Sequence, residues 1–549
     1  MEGGTPLVDT ESATVSTVVD RQFVEDLPLN GRTFQTLIML APGVVATQTA
    51  YDDQGQFSVN GQRADANYFT VDGVSANFGV TGYFPLVQAG GGALPALSVS
   101  GGANSLVSVD AMQEFRVQTS SFAPEFGRTP GGQISIATRS GTNALHGTLF
   151  EYFRNEVLDA NDWFNGYTNE PALPKPEERQ NDFGGTFGGP IIRNKTFFFF
   201  SYEGLRLRQP STQETVVPDN ASRQQAPATI QPFLNAYPVA NGAEGGNGLA
   251  QFDASYSDPS SLNAYSVRVD QIVNSKISLF GRYDYSPSTL DQRGAFPPPY
   301  MVLSATESVS SSVQTFTLGI EHLIAPRLSN EIRVNYSNQR LGTKYFLDGF
   351  GGAVPLQDSL LFPSGFSSEN SLFLQFIPGV GEFGQGKAAT DEQRQINLID
   401  NLSLTIRSHQ LKVGVDYRWL SPFSSPFNYE QFVEFSGVAC PSSGSCTGYG
   451  LSGTIPGNTT TAAFAQPTSS VANALLSSNF SVYGQDTWKI APRVTVTYGL
   501  RWEINPPLKG KNSANDPFTV VGLNDPATIG LAPRGTPLFQ TTYGNVAPR

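Results

Sequence analysis

From about residue 145 onward, runs of roughly ten residues alternate apolar with polar side chains. Residues 493–503 show it clearly. Val494, Val496, Tyr498, Leu500 and Trp502 fall on one face and Arg493, Thr495, Thr497, Arg501 and Glu503 on the other, because successive strand side chains point to opposite faces. In 411–419, Lys412, Asp416 and Arg418 oppose Leu411, Val413, Val415, Tyr417 and Trp419. In 277–285, Arg282 and Asp284 oppose Ile277, Leu279, Tyr283 and Tyr285, and Glu331 with Arg333 oppose Ile332, Val334 and Tyr336. None of these apolar faces carries a charge. An Arg or Lys facing lipid at the bilayer midplane costs about 2–4 kcal/mol, whereas one facing a lumen costs little. The pattern therefore predicts strands of an antiparallel membrane β-barrel, with the apolar face on lipid and the charged face inward.

Candidate strands are 145–154, 181–190, 196–208, 263–273, 276–286, 312–324, 327–341, 394–406, 410–420, 479–490 and 493–503, and 543–549 reads as the start of another. Short turns at 191–195, 274–275, 325–326, 407–409 and 491–492 alternate with long loops at about 155–180, 209–262, 287–311, 342–393, 421–478 and from 504 on. Outer-membrane barrels have short periplasmic turns and long outer loops. A soluble β-sandwich also alternates, but its strands are shorter and its loops need not alternate in length.

The first 141 residues read differently. Residues 1–19 carry no core pattern, and 20–44 suggest two short helices, the second stopped by Pro42-Gly43. Short strands follow at 57–61, 67–74 with an Asp72-Gly73 turn, 114–119 and 131–141. The division expected is an N-terminal segment 1–19, a compact α+β domain 20–141, and barrel from 142 to 549.

Charged residues make up only 15%, and Gly (55), Pro (38) and Phe (38) are abundant, which suits strands, turns and aromatic belts. The net charge of −13 argues against nucleic acid, whose phosphates demand basic surface. No apolar run is long enough for a membrane helix, and no secretory leader is visible at the start. Cys440 and Cys446, the two cysteines of the chain, lie in one outer loop and favour a local disulfide. Without a nearby His they make a poor metal site. Residues 379–384 fit G-x-G-x-x-G, and 381–387 nearly fit a phosphate loop. The first lacks its strand and helix, and the second has Ala388 where Ser or Thr must follow the lysine. His146, His322 and His409 stand apart, and no nucleophile elbow exists. No catalytic residue, cofactor or metal is expected, and the chain does not read as an enzyme.

The stretches 27–44, 58–74 and 109–155 resemble the plug and the plug–barrel junction of TonB-dependent outer-membrane receptors of the Oar-like branch, and 182–206 and 483–503 resemble their barrel strands. The resemblance implies a plug inside a barrel of about 22 strands, of which 11–12 are present here, in the outer membrane of a Gram-negative-type bacterium. It implies transport of a large solute (oligosaccharide, peptide or chelate), with TonB and its inner-membrane energising complex as partners and outer-membrane lipid around the wall. It also leads us to expect a fragment, with further sequence at both ends. An adhesin or passive pore is the alternative. The ligand is not legible, although aromatic loop residues around 345–350 and 423–435 are candidate contacts. In the plug, Arg63, Asp65 and Asp72 either face barrel-wall charges such as Glu151 or are solvated turn charges.

Overall fold

The computed structural model describes residues 15–20, 34–47, 57–80, 92–161, 163, 165, 173–245, 248–296, 300–377, 380–435, 463–468 and 472–549. The N-terminal part holds β1 (Val15–Asp20), β2 (Val44–Ala46), β3 (Phe57–Val59), β4 (Tyr68–Val71), β5 (Val74–Ser75), β6 (Met112–Ser120) and β7 (Gln133–Thr138). Five of these form a mixed sheet in the order β1-β6-β7-β4-β5. Its core gathers Phe34, Ile38, Phe57, Phe69, Phe115 and Ile134. The Asp72-Gly73 turn has both residues at positive φ (48° and 80°), the geometry that an Asp-Gly hairpin turn demands. Two expectations need correcting. Residues 15–20 are not featureless: β1 pairs with β6 and buries Val19 in the core, so a boundary at 19/20 cuts a strand. Of the two helices expected in 20–44, the described residues contain one single-turn helix, Gln35–Ile38. Residues 21–33 lie outside the described part.

The rest is dominated by one long sheet, antiparallel along its main path. Its strands are β8 (His146–Asn155), β9 (Arg179–Ile192), β10 (Thr196–Pro218), β11 (Leu249–Ile272), β12 (Ile277–Arg293), β13 (Ala305–Ala325), β14 (Leu328–Leu347), β15 (Ser371–Ile377), β16 (Gly381–Ile406), β17 (His409–Pro426), β18 (Tyr429–Phe435), β19 (Ala463–Thr468), β20 (Asn473–Ala491), β21 (Val494–Ile504) and, after the short β22 (Lys509–Gly510), β23 (Val520–Val521) and β24 (Gly530–Leu531), β25 (Val546–Pro548). The main path runs β8-β9-β10-β11-β12-β13-β14-β16-β17-β20-β21-β25, in sequence order; β15, β18, β19 and β22 pair beside it, β15 and β18 in parallel, and β23 pairs with β24 separately. Among the described residues β8 and β25 end this path and do not pair with each other. All eleven expected strands are present, and β25 takes the place expected of a twelfth.

The faces follow the alternation. Val413, Val415 and Tyr417 of β17, and Val494, Val496, Tyr498 and Leu500 of β21, are exposed on the outer face, while Arg418 and Arg501 are buried on the inner one. Tyr202, Tyr265 and Tyr285 stand side by side on the outer face, with centroids 4.9 and 6.4 Å apart, as a girdle does where lipid meets water.

Several expected loops are strand. β10 and β11 pair without a break from Thr196↔Gln271 to Pro218↔Leu249. The reason is a change of phase. Near the short-turn end of β11, Tyr265, Val267 and Val269 point outward. Farther along the same strand, Phe252, Ala254 and Tyr256 are buried inward against Tyr237, Leu303 and Phe383. Apolar side chains thus face out at one end and in at the other, and no single alternation marks the whole strand. The inward group is the core of a cap at the long-loop end, to which the short helices Asn220–Gln225 and Gln231–Asn235 contribute.

Candidate functional site

The N-terminal domain lies against the charged inner face of the sheet, and the two are joined by ion pairs at one level and by mostly neutral hydrogen bonds at another. The first ionic group centres on Asp72, whose carboxylate accepts from Thr138 N at 2.9 Å and Thr138 Oγ1 at 2.8 Å. It lies 3.1 Å from Arg282 Nε on β12 and 3.4 Å from Arg268 Nη1 on β11. Arg282 also pairs with Asp284 at 3.3 Å and is 1% exposed. The second group centres on Arg128. Its Nε and Nη2 lie 2.9 and 2.7 Å from Asp416 Oδ2 on β17, and its backbone N–H donates to Glu503 Oε1 on β21 at 3.1 Å. Burial alone would lower the Arg128 pKa, but the charges of Asp416 and Glu503 and its hydrogen bond to Asp416 outweigh that and hold it above the ordinary value. Arg501 reaches back to the backbone carbonyls of Pro124 and Glu125 at 3.3 and 3.1 Å, while Lys412 pairs with the Glu125 side chain.

Farther from the short turns, the fastening is by hydrogen bonds, mostly from neutral amides and hydroxyls. Asn397 Oδ1 accepts from Ser75 N at 2.9 Å, and Gln395 Nε2 donates to Ser75 O at 2.8 Å. Gln393 donates to Gly79 O at 3.4 Å, and Gln339 accepts from Val80 N at 3.1 Å. Arg418 Nη1 donates to Asn77 O and Gly92 O at 3.2 and 3.1 Å. Wall amides therefore satisfy the open edge of residues 75–80 much as a neighbouring strand would, which a buried backbone requires. Two further contacts continue this row: Val99 N donates to Ser288 Oγ at 3.2 Å, and the Ser100 and Ser260 hydroxyls lie 2.5 Å apart. Between domain and wall remains a cavity of about 190 Å³ lined by Tyr68, Ser135, Arg333, Lys412, Tyr483 and Arg501, among others.

Of the residues singled out from the sequence, Asp72 sits in the first ionic group. Arg63 is exposed and Asp65 half-buried in a short turn (Ala64–Ala66), and neither pairs with the wall among the described residues. Glu151 is exposed on β8, two places from the outward Leu149 and Phe153, so it lies on the opposite side of the wall from the N-terminal domain. The sequence reading missed Glu125 and Arg128. The signal available was a charged pair in a Pro- and Gly-containing loop. Tyr345 is buried and stacked on Phe296 at 5.7 Å, and Phe350 packs on Phe252 and Tyr256, so these aromatics build the cap. Cys440 and Cys446 lie outside the described residues. Residues 381–387 open β16 rather than a phosphate-binding turn, and Gly379 lies outside the described part.

Asp72→Ala should strand the buried Arg282 with one partner where it had two. Breaking a buried pair costs about 3–5 kcal/mol. The N-terminal domain should unfold at clearly lower urea, followed by its tryptic digestion, while the heat-dependent gel mobility of the folded sheet stays unchanged.

A wall with a lipid-type outer face and a charged inner face, blocked by a separate domain, defines a plugged outer-membrane β-barrel. The chain matches the family described as "Outer membrane beta barrel domain" over residues 137–229 and 222–549. It is 24% identical over 576 aligned positions to the TonB-dependent transporter Oar of Myxococcus xanthus, covering 91% of this chain and 48% of that protein. Among solved structures it resembles the outer membrane transporter YddB of Escherichia coli, with a TM-score of 0.57, 11% identity and coverage of 89% of this chain and 56% of that one. It also resembles FpvA of P. aeruginosa bound to heterologous pyoverdines, with a TM-score of 0.52, 13% identity and coverage of 92% and 53%. The chain belongs to the outer membrane β-barrel family, is similar to the TonB-dependent transporter Oar, and its place is the outer membrane. It spans about half the length of the curated relative it matches.

Proposed function

We propose that the protein is a gated transporter: residues 20–141, together with β1, form its plug, and 142–549 belong to the barrel around it. The plug is displaced by pull from TonB and the inner-membrane energising complex, which admits a large solute such as an oligosaccharide, peptide or chelate. The carrying observation is the way the plug is held. Its core is mostly its own, with only Phe199, Val313 and Leu420 of the wall joining it, while its bonds to the wall are largely ion pairs and hydrogen bonds such as Arg128–Asp416 and Ser75–Gln395. Polar contacts can be exchanged for water as the plug shifts, whereas an apolar core shared along the whole boundary, rather than at three wall side chains, would have to be torn open. An adhesin has no need of a separately folded domain filling the lumen.

The test is binding of TonB's periplasmic domain to the full-length receptor with residues 2–14 removed, a cut that spares β1. Binding should be lost, and the unmodified receptor should pass almost no ion current in planar bilayers. Free conduction with the plug in place sinks the gated reading in favour of a passive pore.

A further inference from the structure

The five short turns are basic. They carry Arg193, Lys195, Lys276, Arg327, Arg407, Lys489 and Arg493, and residues 191–195, 273–276, 325–327, 406–409 and 489–493 contain no Asp or Glu. This runs against a chain of net charge −13. All seven cations are exposed. The nearest acids are turned elsewhere. Asp270 pairs with Arg268 on the inner face, where Glu321 lies opposite Glu331, while on the outer face Asp486 is held by His409 and Tyr498 and Asp400, deeper, by Asn330. Beside the cations the outer face is largely apolar: Ile191, Val273, Ile324, Ile406, Ile490 and Val494 are all exposed. The positive rim therefore begins where the lipid-facing band stops.

We infer that this rim binds the phosphate headgroups of anionic phospholipids in the periplasmic leaflet. The inference rests on the barrel's orientation, short turns inward. Long basic side chains bury their stems along apolar surface and reach headgroup level, and each contributes about fivefold near an anionic lipid surface. A periplasmic protein partner would need the cations gathered on one patch, whereas here they are spread over every turn at the edge of the apolar band, the arrangement a surrounding lipid ring meets.

The experiment is native mass spectrometry of the full-length protein in zwitterionic detergent, given equal phosphatidylglycerol and phosphatidylcholine of the same chains. Phosphatidylglycerol should be retained about tenfold or more over phosphatidylcholine, and added salt should erase the preference. The variant Lys195→Gln/Lys276→Gln/Arg327→Gln/Arg407→Gln, checked for folding by heat-dependent gel mobility, should keep less than about twofold preference. Equal retention by the unmodified protein, preference that survives high salt, or an unchanged preference in the variant each overturn the proposal. So does full displacement by millimolar inorganic phosphate, which points to a free-anion site, or charge-dependent sedimentation with cell-wall sacculi without lipid preference. Orientation is checked separately. Ser275→Cys should resist an impermeant maleimide in intact cells while Ser364→Cys reacts, and reversal of that result condemns the orientation without touching the lipid preference.

Discussion

Import by the Ser100→Cys/Ser260→Cys variant is expected to fall to background when the pair is oxidised and to return on reduction. The two hydroxyls are 2.5 Å apart across the boundary between the N-terminal domain and β11, which places their β-carbons within reach of the roughly 3.5–4.5 Å that a disulfide spans. The bond would tie the domain to the wall at its neutral level, far along β11 from the short turns. If the path for solute opens by movement of residues near Ser100, a covalent tie there blocks it completely, whereas loss of one hydroxyl pair costs only about 1 kcal/mol. The measurement is uptake of whichever solute the unmodified protein imports from a panel of labelled oligosaccharides, peptides and iron chelates. Single-cysteine variants should import normally. Reductant also reaches Cys440 and Cys446, so the unmodified protein with reductant is the comparator. Undiminished import by fully cross-linked protein would falsify movement at this contact and leave displacement, if any, to the Asp72 and Arg128 side.

Val415→Arg is expected to remove most of the protein from the outer membrane, and Lys412→Gln to leave its amount unchanged. Val415 is exposed on the outer face of β17, between Val413 and Tyr417, where a guanidinium costs about 2–4 kcal/mol in hydrocarbon; the acid opposite, Asp400, is already held by Asn330. Lys412 points inward and pairs with Glu125. Its loss weakens one contact to the N-terminal domain but leaves the lipid face untouched. Membrane-fraction blots and heat-dependent gel mobility read both effects. Equal behaviour of the two variants would mean that the faces have been assigned wrongly.

The lipid-crossing strands were legible because hydrocarbon imposes a strict demand on alternate residues, and β17 and β21 obey it along their length. The outer halves of β10 and β11 were not, because apolar residues there turn inward to the cap and serine-rich positions turn to water. β1 was missed because an edge strand of six residues (Val15–Asp20) contributes one clear core side chain, Val19. At the candidate site the wall charges Arg282, Arg333, Asp416, Arg418 and Arg501 were legible as inward-facing. Their partners were not: Arg128 and Asp416 are 288 residues apart, and only the folded register brings them together. The amides Gln339, Gln393, Gln395 and Asn397 gave no signal, since a polar inward residue is what any lumen strand carries.

The length of the strands sets how the cell surface is met. β11 and β16 run for 24 and 26 residues, about 80 Å of strand at roughly 3.4 Å per residue. At a tilt near about 40° that is a wall about 60 Å tall, and the hydrocarbon occupies only about 25 Å of it. With the short turns ending at the apolar band, nearly all of the excess projects outward. The mouth of the protein therefore opens well above the bilayer, like a chimney clear of a roof. Antibodies or phage tail fibres would find that rim first, and sugar chains on neighbouring lipids would crowd its flanks rather than its opening.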